Sequence, residues 1–228
     1  MKKLKMALLL GTLLAILLTC QFSSFAAVCR DIRADTLRLH ILANSDSTED
    51  QALKLYVRDC ILKESAALFA QATTKEGAER AVDQNLALLQ KTAERAIAEQ
   101  GFAYPVKVSR TNLYFATTNY KNGDGRCYTL PAGRYDAVRV EIGKSAGHNW
   151  FCVLFPQLCL PAAEGEQQAD ALYTGKEKRV LEGEYEVRFA LLEWLQPERS
   201  EPIAAPLPTQ SPAPERTAAK RISQSEKS

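Results

Sequence analysis

A two-layer α+β sandwich, with a mostly antiparallel sheet packed against a helical hairpin and a C-terminal helix, is predicted by three features. Two successive stretches between Ser47 and Gly101 carry apolar residues at helical spacing. Beyond Gly101 the apolar period drops from near 3.6 to 2, in several short runs separated by turn residues. Helices and strands are therefore segregated along the chain, which argues against an alternating parallel α/β sheet.

The first strand is read over Thr36 to Ala43 (Thr-Leu-Arg-Leu-His-Ile-Leu-Ala) and is stopped by Asn44-Ser45-Asp46, whose short side chains bond their own backbone in turns. Ser47 with Asp50, or Asp46 with Glu49, supplies an N-cap and a first-turn carboxylate. The helix that follows carries Leu53, Tyr56, Val57, Cys60, Ile61, Leu68 and Phe69 on one face and is expected to run to about Ala70. Thr73 and Glu76 form a capping-box pattern for a second helix. Its stripe is Ala78, Ala81, Val82, Leu86, Leu89, Ala93, Ala96 and Ile97, with Gly101 as the C-terminal stop.

Tyr104, Val106 and Val108 then alternate with polar residues, and Leu113 and Phe115 continue the run. Asn119 to Gly125 is a turn signal, as is Pro131-Ala132-Gly133 after the short run Cys127 to Leu130. Val138, Val140 and Ile142 form the next strand, and Gly143 to Gly147 breaks it. Trp150 to Phe155 is continuously apolar and reads as a central buried strand. Glu184 to Leu195 closes the domain as a helix through Val187, Leu191, Leu192 and Leu195.

The two ends differ from this body. Lys2, Lys3 and Lys5 precede an aliphatic run from Met6 to Leu18, and Ser24 and Ala26 stand at the −3 and −1 positions of a cut before Ala27. That order defines a secretory signal peptide over residues 1–26; the alternative is an uncleaved signal anchor. One α+β domain is expected over residues 28–196. Residues 197–228 are rich in Pro, Ser and charged residues and are expected to form a disordered tail. The net charge is only +2 and the basic residues are interspersed with acidic ones, so nucleic acid is not an expected partner.

Catalytic chemistry is thinly represented. The two histidines are His40 and His148. A metal site from His40, Asp46 and His148 has no recognised ligand spacing. His148 with Cys152 is the sharper enzyme reading, a thiol–imidazole pair for a secreted peptidoglycan or peptide hydrolase. Four residues of strand would hold the two about 13 Å apart unless the loop folds back. Once exported and cut, the chain would keep Cys29, Cys60, Cys127, Cys152 and Cys159, an odd number for an oxidising compartment. Cys152 and Cys159 can bridge if Pro156 reverses the chain; which thiol is left over is not set by the spacing.

Three longer blocks resemble the stage II sporulation protein R family. They are Leu39-His40-Ile41-Leu42-Ala43-Asn44-Ser45-Asp46-Ser47 with Asp50 to Asp59 behind it, Leu130-Pro131-Ala132-Gly133-Arg134-Tyr135-Asp136-Ala137 with Val140 to Gly143, and Gly147-His148-Asn149-Trp150-Phe151-Cys152-Val153-Leu154-Phe155-Pro156 with Leu158-Cys159. The similarity runs from about Leu37 to Leu160 and more weakly to Leu195. An amide commonly stands in the family where this chain has His148, which argues against an essential imidazole, and the Pro-rich tail is not a family hallmark. The resemblance implies a signal instead of an enzyme, with no cofactor. It implies secretion from the forespore into the intermembrane space of a sporulating cell. There the domain would activate a membrane-embedded aspartic protease of the mother-cell membrane, which removes the pro-sequence of a mother-cell sigma factor. Membrane contact is expected only through the signal segment or this receptor. The expected partner-binding residues are Asn44, Ser45, Asp46, His148, Asn149 and Trp150, loop-borne polar and aromatic groups of the kind that carry recognition.

Overall fold

A computed structural model describes residues 2–121, 127–156, 172–182 and 187–195. Its elements in chain order are α1 (Lys2–Ala34), β1 (Leu37–Leu42), α2 (Thr48–Phe69), α3 (Lys75–Glu99), β2 (Val106–Phe115), β3 (Thr118–Lys121), β4 (Cys127–Leu130), β5 (Gly133–Ile142), β6 (Asn149–Phe155), α4 (Gly175–Leu181) and α5 (Val187–Leu195). The fold is α+β, as the segregation of helical and strand patterns requires. Four strands form one sheet in the order β2-β5-β1-β6, and β3 and β4 form a separate antiparallel pair.

Within the larger sheet β1 pairs in parallel with β5, while β1–β6 and β2–β5 are antiparallel. The parallel pair became possible because the α2–α3 hairpin and three strands intervene, ample chain for a crossover. Trp150 to Phe155 lies in an edge strand, not the central one expected from its apolar run. Its residues Cys152 to Phe155 are nonetheless buried, because both faces of the sheet are covered at that end.

One face, built from Leu37, Leu39, Ile41, Val138, Val140, Ile142 and Cys152, packs under α2 and α3 through Leu53, Val57, Ile61, Phe69, Val82, Leu89 and Ala93. Each of the Val, Leu, Ile and Phe side chains contributes about 1.5–3 kcal/mol on leaving water. Ser47 caps α2 by accepting from Asp50 N at 3.2 Å. The cap of α3 is Thr74, one residue later than expected, and it accepts from Gly77 N. Gly101 follows α3 with φ of +79°, the left-handed residue anticipated there. At the open edge of β2, Gln90 of α3 pairs with the strand as a neighbouring backbone would, accepting from Val108 N at 2.8 Å and donating to Val106 O at 2.6 Å. That covers part of an edge that could otherwise recruit another strand.

The opposite face carries Arg38 and His40 among Phe115, Tyr135, Ala137 and Phe151. The second half of the chain also differs in detail from expectation. Asn119 to Lys121 belong to β3 instead of the turn, each paired in register with a residue of β4; residues 122–126 lie outside the described residues. A helix not anticipated, α4, begins at a full capping box in which Thr174 and Glu177 satisfy each other's backbone N–H. Thr174→Ala should destabilise the domain by about 1 kcal/mol, measured by thermal unfolding. The closing helix is present from Val187 to Leu195.

The N-terminal helix α1 runs unbroken through residues 26 and 27. Its aliphatic stretch from Leu4 to Leu18 is exposed, while Phe25, Cys29 and Ile32 are buried against the domain. By length and composition it can cross a membrane, a property that signal sequences share.

Candidate functional site

Parallel pairing sends the C-terminal ends of β1 and β5 to the same end of the sheet. The turn leaving β1 and the loop leaving β5 therefore abut, and that loop passes over β1 to β6, which starts at the same end on the other side of β1. Two segments about a hundred residues apart in sequence meet here. Gly147 N donates to Ala43 O at 3.0 Å, and Lys144 N donates to Asn44 Oδ1 at 2.9 Å.

Asp50, in the first turn of α2, organises the first segment. Its Oδ2 accepts from Asn44 Nδ2 at 2.8 Å and from Ser45 Oγ at 2.5 Å. Burial pushes the Asp50 carboxyl up, but the hydrogen bonds from Ser45 and Asn44 outweigh it and hold the group below the usual carboxylate range. Gln51 Nε2 donates to Ser45 O at 2.9 Å. Asn44 and Ser45 are thus committed to shaping the turn and are only half-exposed.

Asp46 and His148 are different. Their side chains are 55% and 50% exposed, and Asp46 Oδ1 accepts from both His148 N and His148 Nδ1 at 2.5 Å. The backbone bond from His148 is the first of the causes that lower the Asp46 pKa, followed by the bond from the ring. The two residues form a bridged ridge at the rim of the sheet. Beneath it, buried Lys54 donates to His148 O at 3.0 Å and to Gln51 Oε1 at 2.5 Å. Burial brings the Lys54 ammonium down to about 8, with the Asp46 charge opposing. Asn149 opens β6 opposite Leu42, and Trp150 lies half-buried against the helical layer with Arg58 Cζ 4.5 Å above its ring.

The structure therefore brings Asn44, Ser45, Asp46, His148, Asn149 and Trp150 to one end of the sheet. Sequence reading missed the supports beneath them. Asp50 and Lys54 are four residues apart within the apolar stripe Leu53, Val57, Ile61, a polar pair on a buried face that signals a built polar contact. Gly147 is the other missed element. A Cβ there would stand 2.1 Å from Ser45 O, a backbone atom. Gly147→Ala should force the two segments apart and destabilise the domain by about 1–3 kcal/mol. Thermal unfolding reads that loss, and faster amide exchange at residues 144–148 would localise it.

The enzyme constellations do not assemble. Cys152 is buried toward the helical layer opposite Leu39, whereas the His148 ring is at the exposed rim and engages Asp46. His40 is on the other face of the sheet, its ring edge-on to Phe115 at 5.9 Å. Among the described residues no group of three or more His, Cys, Asp or Glu could hold a metal ion. Cys159, the partner expected for Cys152, and the Pro-rich tail lie outside the described residues.

A small α+β domain with a rim built from two distant loops, led by a membrane-compatible helix, belongs to the stage II sporulation protein R family: the family's model matches residues 33–164. The chain is 33% identical over 182 residues to stage II sporulation protein R of Bacillus subtilis (strain 168), covering 70% of this chain and 79% of that relative. No solved structure matches it. A role in sporulation follows from the family.

Proposed function

We propose that this chain is an exported signal of sporulation. In this reading its domain engages the extracytoplasmic face of a membrane-embedded aspartic protease, and pro-sequence removal from a mother-cell sigma factor follows. The observation that carries the reading is family membership. An N-terminal apolar helix compatible with export and a rim that presents Asp46 and His148 to solvent support it. The chain acts here as a ligand and not as a catalyst. It shifts the protease by binding its active state more tightly than its resting state, the only way a ligand can move such an equilibrium.

Reconstitution in a non-sporulating bacterium tests this directly. The chain is co-expressed with the cognate protease and pro-sigma factor, with and without residues 1–26, and processing is followed by immunoblot. Processing should require the chain and its leading segment. Processing that ignores the chain, or persists without export, would overturn the proposal. In the same assay Asp46→Ala should sharply lower processing at a small cost in stability, from the lost bonds to His148, so the domain stays folded by circular dichroism. Full processing by that variant would take the rim out of the contact.

A further inference from the structure

The helix α5 is apolar at seven of its nine positions, Arg188 and Glu193 being the exceptions. Phe189 and Leu192 are buried, in a cluster with Phe25 and Cys29 of α1. Phe189 meets Phe25 edge-on at 5.1 Å, and Glu193 Oε1 accepts from Thr117 N at 2.9 Å. These contacts fix which way the helix faces. Its outward side is Ala190, Leu191, Trp194 and Leu195, all exposed, with Trp194 at 76%. Contiguous large apolar side chains left facing water, a tryptophan among them, mark an interaction surface, so this side calls for a cover.

The position of α1 says what that cover is. A hydrocarbon core about 30 Å thick takes about 20 helical residues at 1.5 Å each. Counted from Met6, the first residue after the Lys2, Lys3 and Lys5 cluster, the twentieth is Phe25. Phe25 is the residue that touches Phe189, so α5 begins at the depth where hydrocarbon gives way to headgroups. Aromatic and aliphatic side chains together settle at that depth, tryptophan above all. Arg188, with its Cζ 4.8 Å above the Phe25 ring, places a cation at the same level. A cut before Ala27 would remove Phe25 from a buried cluster and leave Phe189 facing water.

We propose that α1 is retained as a membrane anchor and that the outward face of α5 rests in the headgroup–acyl boundary of the same bilayer, seating the domain on the membrane. The proposal rests on the exported placement above but on no receptor, so it can fail or stand independently of protease activation.

The chain has two tryptophans, Trp150 and Trp194. Full-length Trp150→Phe protein is reconstituted into vesicles of phosphatidylethanolamine and phosphatidylglycerol, with or without lipids carrying a doxyl group near the top of the acyl chain. Trp194 emission should be blue-shifted, lose most of its intensity to the doxyl lipids and resist aqueous iodide. Iodide quenching without doxyl quenching would overturn the seat. So would a blue shift that doxyl lipids leave intact, which would mean that protein covers the face. If Trp150→Phe unfolds the domain by circular dichroism, an environment-sensitive fluorescent unnatural amino acid in place of Trp194 in the otherwise native chain gives the same reading. The intact mass of the chain recovered from membranes of an exporting host tests the anchor. It should include residues 1–26, and a mass beginning at Ala27 would refute retention.

Discussion

Arg38→Ala is expected to destabilise the domain by about 3–5 kcal/mol, the range for truncating a large core side chain. Arg38→Met should fold as stably as the native chain or more so. Arg38 is fully buried in β1. Its guanidinium lies over the ring of Phe115 at 3.9 Å and near those of Tyr135 at 5.0 Å, Phe151 at 5.3 Å and Tyr120 at 5.9 Å. Nη2 donates to the Tyr120 hydroxyl, while Nε and Nη1 have no hydrogen-bond partner among the described residues. The charge is held by ring faces, whose attraction for a desolvated cation is about 2 kcal/mol or more, and two orphan donors work against it. Methionine fills the same volume and removes both orphans, the exchange that is often neutral or stabilising for buried ions. Alanine removes the volume as well. Denaturant unfolding of the two variants separates the contributions; a methionine variant as unstable as the alanine one would show that the charge itself holds the sheet face together.

The second large effect is a loss of stability on mild acidification. Burial is the main cause that brings the His40 imidazole down to about 4, with the charges of Arg139 and Arg38 adding to it. Both ring nitrogens are buried without a hydrogen-bond partner among the described residues. The folded state therefore holds His40 neutral where the unfolded chain, near 6.5, binds a proton. Between those values the unfolded state carries more protons, so stability is full above about pH 6.5 and falls as the pH drops toward 4. The total from this residue is about 3 kcal/mol. The carboxylates of Asp50, Asp83 and Asp136, held below their ordinary range, add their losses at still lower pH. In His40→Leu the slope of stability against pH between 6.5 and 4 should largely vanish, whatever its absolute stability. An unchanged slope would assign the acid sensitivity elsewhere.

How much of this was legible in the sequence depends on the range of the physics involved. The two long helices were readable because their stripes and caps are local, and even there Thr73 and Thr74 offered two neighbouring caps between which only packing chose. The position of β6 was misread because an apolar run reports burial on both faces, not rank in the sheet. The parallel partner of β1 could not be read at all, since pairing is decided by chain a hundred residues away. The rim was half legible. Turn chemistry and the family blocks marked both loops, but Lys54 beneath His148 and Gly147 against Ser45 appear only when the loops meet. Arg38 and His40 alternate correctly for one strand face, yet nothing in Leu-Arg-Leu-His says that this face is dry. Thr174-Gly175-Lys176-Glu177 was a readable cap that announced α4 and passed unused.

The pairing of β1 with β5 also bears on how the domain is made. Contacts closing loops of about a hundred residues form late, because the entropy of closure must be met before they contribute. The α2–α3 hairpin can form from neighbouring chain, but β1 stays a lone strand until β5 and β6 have been synthesised. The rim is held by bonds such as Lys144 N to Asn44 and His148 N to Asp46, which span 100 and 102 residues. A nascent, truncated or proteolytically nicked chain could carry every residue of the first loop and still display nothing. The assembled rim is thus a property of the whole chain, found in none of its fragments.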